Sequence, residues 1–293
     1  MTKTAWVFPG QGSQKVGMIA DLLDQDNPQS RLAEAEAILG WSVVELTQDE
    51  AKLAQTQYTQ PCLYTVETIL VDALRASDKQ PELVAGHSLG EYVALYAAGV
   101  FDFATGLQLV KQRAELMSQA AGGAMMALIG FDRTELEGAI AQTPDVVLAN
   151  DNSDGQAVIS GTPEAVAAIE QAVEAKLAVA LNVSGAFHSP MMDGAAATFN
   201  EILQGAAFGD AQIPVLSNVD PTPEIAAAAL KTRLSQQMTG PVRWREIMTQ
   251  LNTLEVARMV EVGPGNVLTG LLKRAHKNIK RVNVASLADG EKV

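Results

Sequence analysis

The chain has 293 residues, enough for one large domain or two of ordinary size and for a substantial buried core. Of these, 47% are hydrophobic and 19% charged, yet no uninterrupted apolar run approaches the roughly 18 residues that a membrane span needs. A net charge of −13 excludes the dense positive footprint of a nucleic-acid binder, and the single cysteine, Cys62, excludes an internal disulfide.

The first element, "TAWVF", reads as a strand ended by Pro9-Gly10. That break falls before an apolar signal region of about 7 to 15 residues can form, so a cytoplasmic or organelle-stroma location is expected. "QPCLYTVETILVDALRAS" spaces its apolar residues as a helix does and puts Cys62 on the core face. "ELVAG" is then a short buried strand. The turn "GHSLG" leads into "LGEYVALYAAG", with Gly99 as a helix stop, and "DFATGLQLVKQRAELMSQA" follows as another helix. Such alternation implies parallel strands joined by helical crossovers.

From Ala124 the rhythm changes to strand "AMMALIGF", helix "TELEGAIAQ", strands "VVLAN" and "QAVISG", helix "PEAVAAIEQAVEAK" and strand "AVALNVSG". This β-α-β-β-α-β order is the ferredoxin-like unit. A small subdomain over 124–187 is therefore expected within a larger α/β body made of 1–123 and 188–293, with a ligand cleft between them. The remaining elements resume the alternation: a helix near 190–204, the strand "IPVLSNVD", helices in "AAAALKTRLSQQM" and "RWREIMTQL", the strand "ARMVEVG", a helix from Asn266 and the strand "RVNVAS".

"GHSLG" matches the G-x-S-x-G elbow, in which a sharp strand-to-helix turn presents a serine, here Ser88, at the carboxyl edge of a sheet. The helix that follows offers free N–H groups to an anion, and Leu89, next in the chain, is a candidate oxyanion donor. A serine hydroxyl needs a base, and histidine is the usual one near neutral pH. Three histidines are available. His87 is expected to point away from Ser88, because successive side chains at a strand end alternate. His276 lies in a basic helix end. His188, in "VSGAFHSPMMD" where the chain returns to the larger body, is the candidate base.

The sequence resembles the malonyl-CoA:acyl carrier protein transacylase family of type II fatty acid synthesis. The likeness runs through "VFPGQGSQKVGM", "TQPCLYT", "GHSLGEYVAL", "QRAELM", "GAMMALIG", "AFHSPMM", "PVLSNVD" and "EVGPGNVLTGL", in family order over almost the whole chain. It implies an α/β-hydrolase-like core with a parallel sheet and an inserted ferredoxin-like subdomain. It also implies that Ser88 carries the acyl group, that His188 is general base and acid, and that the Gln11 and Leu89 amides bind the oxyanion, with Gln11 also touching substrate. In the family a main-chain carbonyl orients the histidine, and the matching residue is Gln237, with Gln236 beside it leaving the register open. Arg113, 25 residues after Ser88, would hold the malonyl carboxylate, a planar fork suited to that group. Ala114 and "NSDG" at 152–155 depart from the family pattern, so acyl preference follows less directly than reaction type.

The implied reaction is a ping-pong transfer of malonyl from malonyl-CoA to acyl carrier protein, by a monomer, with no cofactor and no metal. A serine esterase or thioesterase is the enzymatic alternative; it would orient its histidine with an acid, and Asp151 and Asp154 lie between Ser88 and His188 in the chain. A carrier-protein docking module without chemistry is the non-enzymatic one. "LLKRAHKNIKR" is the one dense basic stretch. It reads either as a solvated helix end complementing its dipole or as a carrier-docking patch through Lys273, Arg274 and Lys277.

Overall fold

The computed structural model describes residues 3–23 and 26–293. Among them lie nine strands: β1 (Thr4–Phe8), β2 (Leu83–Gly86), β3 (Ala124–Phe131), β4 (Val146–Ser153), β5 (Gln156–Gly161), β6 (Ala175–Ala180), β7 (Val215–Leu216), β8 (Arg258–Val262) and β9 (Lys280–Val284). β1 is buried at every position because it runs through the centre of a sheet covered on both faces. Trp6 and Phe8 enter one apolar core while Ala5 and Val7 enter the other, as strand alternation requires. The sheet has five strands in the order β7-β2-β1-β8-β9, and every pairing is parallel.

The second sheet has four antiparallel strands in the order β4-β5-β3-β6. That order and the helices Arg133–Gln142 and Pro163–Ala172 between its strands make it ferredoxin-like. Met126, Leu128 and Ile159 pack one face against those helices. Met125 and Val158, on the other face, join the core of the large sheet. β4 is stitched to the larger body by the Asp151 N–H, which donates to the Val242 carbonyl at 2.9 Å, and by the Val242 N–H, which donates to Ala149 at 2.8 Å.

One expected helix and two expected strands change most in extent. The helix expected to reach Lys176 stops at Ala172, and the last strand of the small sheet occupies Ala175–Ala180 rather than 178–185. Pairing along β3, from Phe131 opposite Ala175 to Met126 opposite Ala180, overrides the helical propensity of "AVEAK". "IPVLSNVD" shrinks to the two residues of β7, because the Asn218 N–H turns to the Glu91 carboxylate at 3.2 Å instead of a neighbouring strand. The four-residue helices Val43–Leu46 and Glu50–Leu53, capped by Ser42 and Asp49, are too short to show a period.

Candidate active site

β2 ends at Gly86, and the helix Gly90–Ala97 begins four residues later. The turn between them is so tight that a Cβ on Gly86 would lie 1.8 Å from the Gly90 carbonyl carbon, and one on Gly90 would lie 2.1 Å from the Phe8 oxygen. Only glycine fits at either place. Ser88 sits in this turn with φ +52°, a left-handed conformation that costs a non-glycine residue about 1–2 kcal/mol. Its backbone is held from distant parts of the chain: the Ser88 N–H donates to Asn218 Oδ1 at 2.7 Å, and its carbonyl accepts from Gln237 Nε2 at 2.8 Å. Asn218 is itself fixed by donating from Nδ2 to the Gly86 carbonyl at 2.5 Å.

The structure brings His188 to Ser88, with Nε2 2.8 Å from Oγ. His188 Nδ1 lies 2.9 Å from the Gln237 carbonyl and 3.1 Å from that of Gly240. Since carbonyls only accept, the proton is on Nδ1, and Nε2 is left to accept from the serine hydroxyl. Gln237 caps the C-terminal end of the helix Ala227–Gln236, so an otherwise unused carbonyl at the negative end of a helix orients the imidazole. The neighbouring Gln236 carbonyl instead accepts from the Gly240 N–H at 2.9 Å. His188 is 4% exposed, and burial, with Arg113 beside it, pushes its pKa down to about 3, the two carbonyls opposing. At neutral pH it is an uncharged base.

Arg113, on the helix Phe103–Gln119, is wholly buried and reaches the same point. Its Nη2 donates to Ser88 Oγ and to Gln237 Oε1, both at 3.1 Å, and its Nη1 donates to Gln60 Oε1 at 2.6 Å. The guanidinium also lies 5.4 Å from the Tyr92 ring centroid. None of these hydrogen-bond acceptors is charged, and Nε has no partner. A buried cation with no carboxylate hydrogen-bonded to it is costly, and it makes a strong receptor for an acid group on a ligand.

Gln11 lies in the loop after β1 and donates from Nε2 to Thr56 Oγ1 at 3.1 Å. That loop packs on the elbow: a Cβ on Gly10 would meet the His87 oxygen at 2.5 Å and the Leu89 nitrogen at 3.7 Å. No hydrogen bond among the described residues uses the Gln11 or Leu89 amide, so both are free to donate. A hollow of about 330 Å³ lined by Thr56, Gln57, Ser118 and Asn182 to Ser184 lies where the start of the helix Thr56–Ala76 meets the segment after β6. A larger one, about 900 Å³, is elsewhere, around Arg31, Asp72 and Ser286, away from the expected cleft between the two bodies.

The other sequence candidates are not at this point. His87 pairs through Nε2 with Asn152 Oδ1 at 2.8 Å and rests against Trp244, on the side of the second core. Asp151 is tied to Arg133 and Arg245, and Asp154 is exposed, so neither meets His188. Lys273 and Arg274 end the helix Val267–Ala275, and Lys277 follows it; all three are exposed, with Arg274 Nη1 3.5 Å from Gln156 Oε1. Sequence reasoning missed Gln60, Glu91 and Asn218. Each is a polar residue that the fold buries, and a buried polar group needs a specific partner.

A serine on a glycine-bounded elbow, a neutral histidine oriented by carbonyls and two free amides, on a parallel α/β sheet carrying a ferredoxin-like unit, define a serine acyl-transfer site. The acyl transferase domain model matches residues 5–290, and the chain belongs to that family. It is 58% identical to the malonyl CoA-acyl carrier protein transacylase of Synechocystis sp., over 98% of each chain. The crystal structure of the Synechocystis malonyl-CoA:ACP transacylase superposes with a TM-score of 0.97 at 57% identity, covering 99% of this chain and 100% of that one. A malonyl-transacylase solved in complex with a type II polyketide acyl-carrier protein gives 0.93 at 39% identity, covering 99% and 98%.

Proposed function

We propose that this protein moves a malonyl group from malonyl-CoA to the phosphopantetheine thiol of acyl carrier protein through an ester on Ser88. The names of the relatives support malonyl as the group and carrier protein as the acceptor. The observation that carries the reading is the Arg113 guanidinium, wholly buried, 3.1 Å from Ser88 Oγ and without a bonded carboxylate. Malonyl brings a carboxylate that can bond to it; acetyl does not.

In the first half-reaction Ser88 Oγ attacks the thioester carbonyl as His188 Nε2 takes the hydroxyl proton. The Gln11 and Leu89 amides receive the developing oxyanion, each worth about 10²- to 10³-fold in rate. The imidazolium, steadied by the Gln237 and Gly240 carbonyls, returns its proton to the departing coenzyme A sulfur. In the second half the carrier thiol gives its proton to Nε2, its sulfur attacks the ester, and Oγ recovers the proton. Arg113 holds the carboxylate throughout. Every step uses side chains, amides and the two thiols, with no cofactor required. The protein acts as a monomer in the cytoplasm or an organelle stroma, and no helix among the described residues is long and apolar enough to cross a membrane.

Mass spectrometry of the intact protein after exposure to malonyl-CoA should find one malonyl adduct on the peptide bearing Ser88. Supplying a thiol acceptor should then clear the adduct faster than water does. A preference for water would favour a thioesterase instead.

A further inference from the structure

Two positive charges meet at this site during the reaction, the Arg113 guanidinium and the His188 imidazolium, and no acid bonds directly to either group. The acid that shares their network is Glu91, in the first turn of the elbow helix and 1% exposed. Its Oε2 accepts from Gln237 Nε2 at 2.8 Å and from the Asn218 N–H at 3.2 Å. Burial raises its pKa, while the Gln237 and Asn218 N–H groups, which favour the ionised carboxylate, and the Arg113 charge work against that rise. Gln237 then joins the three groups. Its Oε1 accepts from Arg113 Nη2 at 3.1 Å, its Nε2 also donates to the Ser88 carbonyl at 2.8 Å, and its own carbonyl takes the His188 Nδ1 proton at 2.9 Å.

We propose that Glu91 is a positioning residue for acyl transfer: its carboxylate is the internal counter-charge of Arg113, and through the Gln237 side chain it fixes the carbonyl that orients His188. An acid is thus part of the site after all, placed one amide away from the imidazole rather than on it. The separation matters for binding. A carboxylate bonded directly to Arg113 would occupy the fork that the acyl carboxylate needs, whereas one held behind Gln237 lowers the cost of burying the cation and leaves the fork open. The same Asn218 that donates to Glu91 also holds the Ser88 N–H, so nucleophile, base and cation are referred to one buried carboxylate.

This inference rests on the malonyl reading, and the test separates the two. The unaltered protein is checked first for the Ser88 ester; its absence would overturn the functional reading. Glu91→Gln and Glu91→Asp are then compared with it for kcat with malonyl-CoA and carrier protein, and for competitive inhibition by free malonate. Glu91→Gln should lower kcat about 10-fold or more, the scale of losing a hydrogen bond to a charged group. It should also tighten malonate by about 5-fold, because Arg113 has lost its internal anion. Glu91→Asp keeps the charge on a shorter arm, so kcat falls while malonate affinity stays as in the unaltered protein. A residue that merely props the fold would weaken malonate as kcat falls. That result, unchanged behaviour in Glu91→Gln, or an Asp variant matching the Gln variant overturns the proposal. Should Glu91→Gln fail to fold, Glu91→Asp decides alone, and any pattern other than lowered kcat at native malonate affinity counts against it.

Discussion

Truncating Arg113 to alanine tests whether its charge selects the acyl group. The side chain is wholly buried, and it spends three hydrogen bonds on Gln60 Oε1, Ser88 Oγ and Gln237 Oε1. Removing it strands two buried amide oxygens at roughly 1–3 kcal/mol each, a penalty that falls on every substrate alike. The part aimed at the acyl carboxylate falls on malonyl-CoA alone. Loss of one partner from a buried charge pair costs about 2–5 kcal/mol. At about 1.4 kcal/mol per tenfold, the ratio of kcat/KM for malonyl-CoA to that for acetyl-CoA should drop by about 30- to 5000-fold. Measuring both substrates on the same preparation cancels any partial unfolding, since only folded protein contributes to either rate. Arg113→Lys keeps the charge but loses the planar fork, and should fall between the two proteins. An unchanged ratio in Arg113→Ala would refute the reasoning, however low the absolute rates.

Ser88→Ala should leave no malonyl adduct in intact-protein mass spectra, and a stoichiometric adduct on another residue would sink the assignment of the nucleophile. The buried His188 makes a prediction about acid stability. Its folded pKa, about 3, lies below the ordinary 6.5, so the unfolded chain takes up the proton first as pH falls. The stability that the neutral ring allows is therefore intact above 6.5 and drains away toward 3, with about 2 kcal/mol lost by pH 5. His188→Asn should reduce the loss in urea-unfolding stability between pH 7 and pH 5 by about that amount; equal losses in both proteins would contradict it. Reversing Lys273, Arg274 and Lys277 to glutamate should raise KM for the carrier protein on the order of 10-fold at low salt, less at high salt, and spare that for malonyl-CoA. Equal shifts in both would leave the patch as a solvated helix end.

Particular residues show why part of this was legible beforehand. The elbow was readable because its glycines answer a local steric demand: where a Cβ would lie 1.8 Å from a backbone carbon, no other residue serves. The ferredoxin-like order was readable because each of its elements carries its own period. β6 was misplaced because its bounds come from pairing with β3, and β7 because Asn218 gives its N–H to Glu91. Gln60 and Glu91 passed unnoticed because a polar residue on a helix has no visible purpose until the fold buries it against a partner.

By itself, then, the sequence determined the local chemistry: a serine on a glycine-bounded turn, a short choice of bases, and an arginine 25 residues after the serine. Only the tertiary structure decided what those groups do to one another. Ser88, Arg113, His188 and Gln237 come from four separate segments, and their properties depend on distance and on exclusion of water. Burial and a neighbouring guanidinium push the imidazole pKa down to about 3, and the carbonyls of Gln237, at a helix end, and of Gly240, just after it, choose its tautomer. Such fields fall off over a few ångströms, so they exist only once the chain has folded around them.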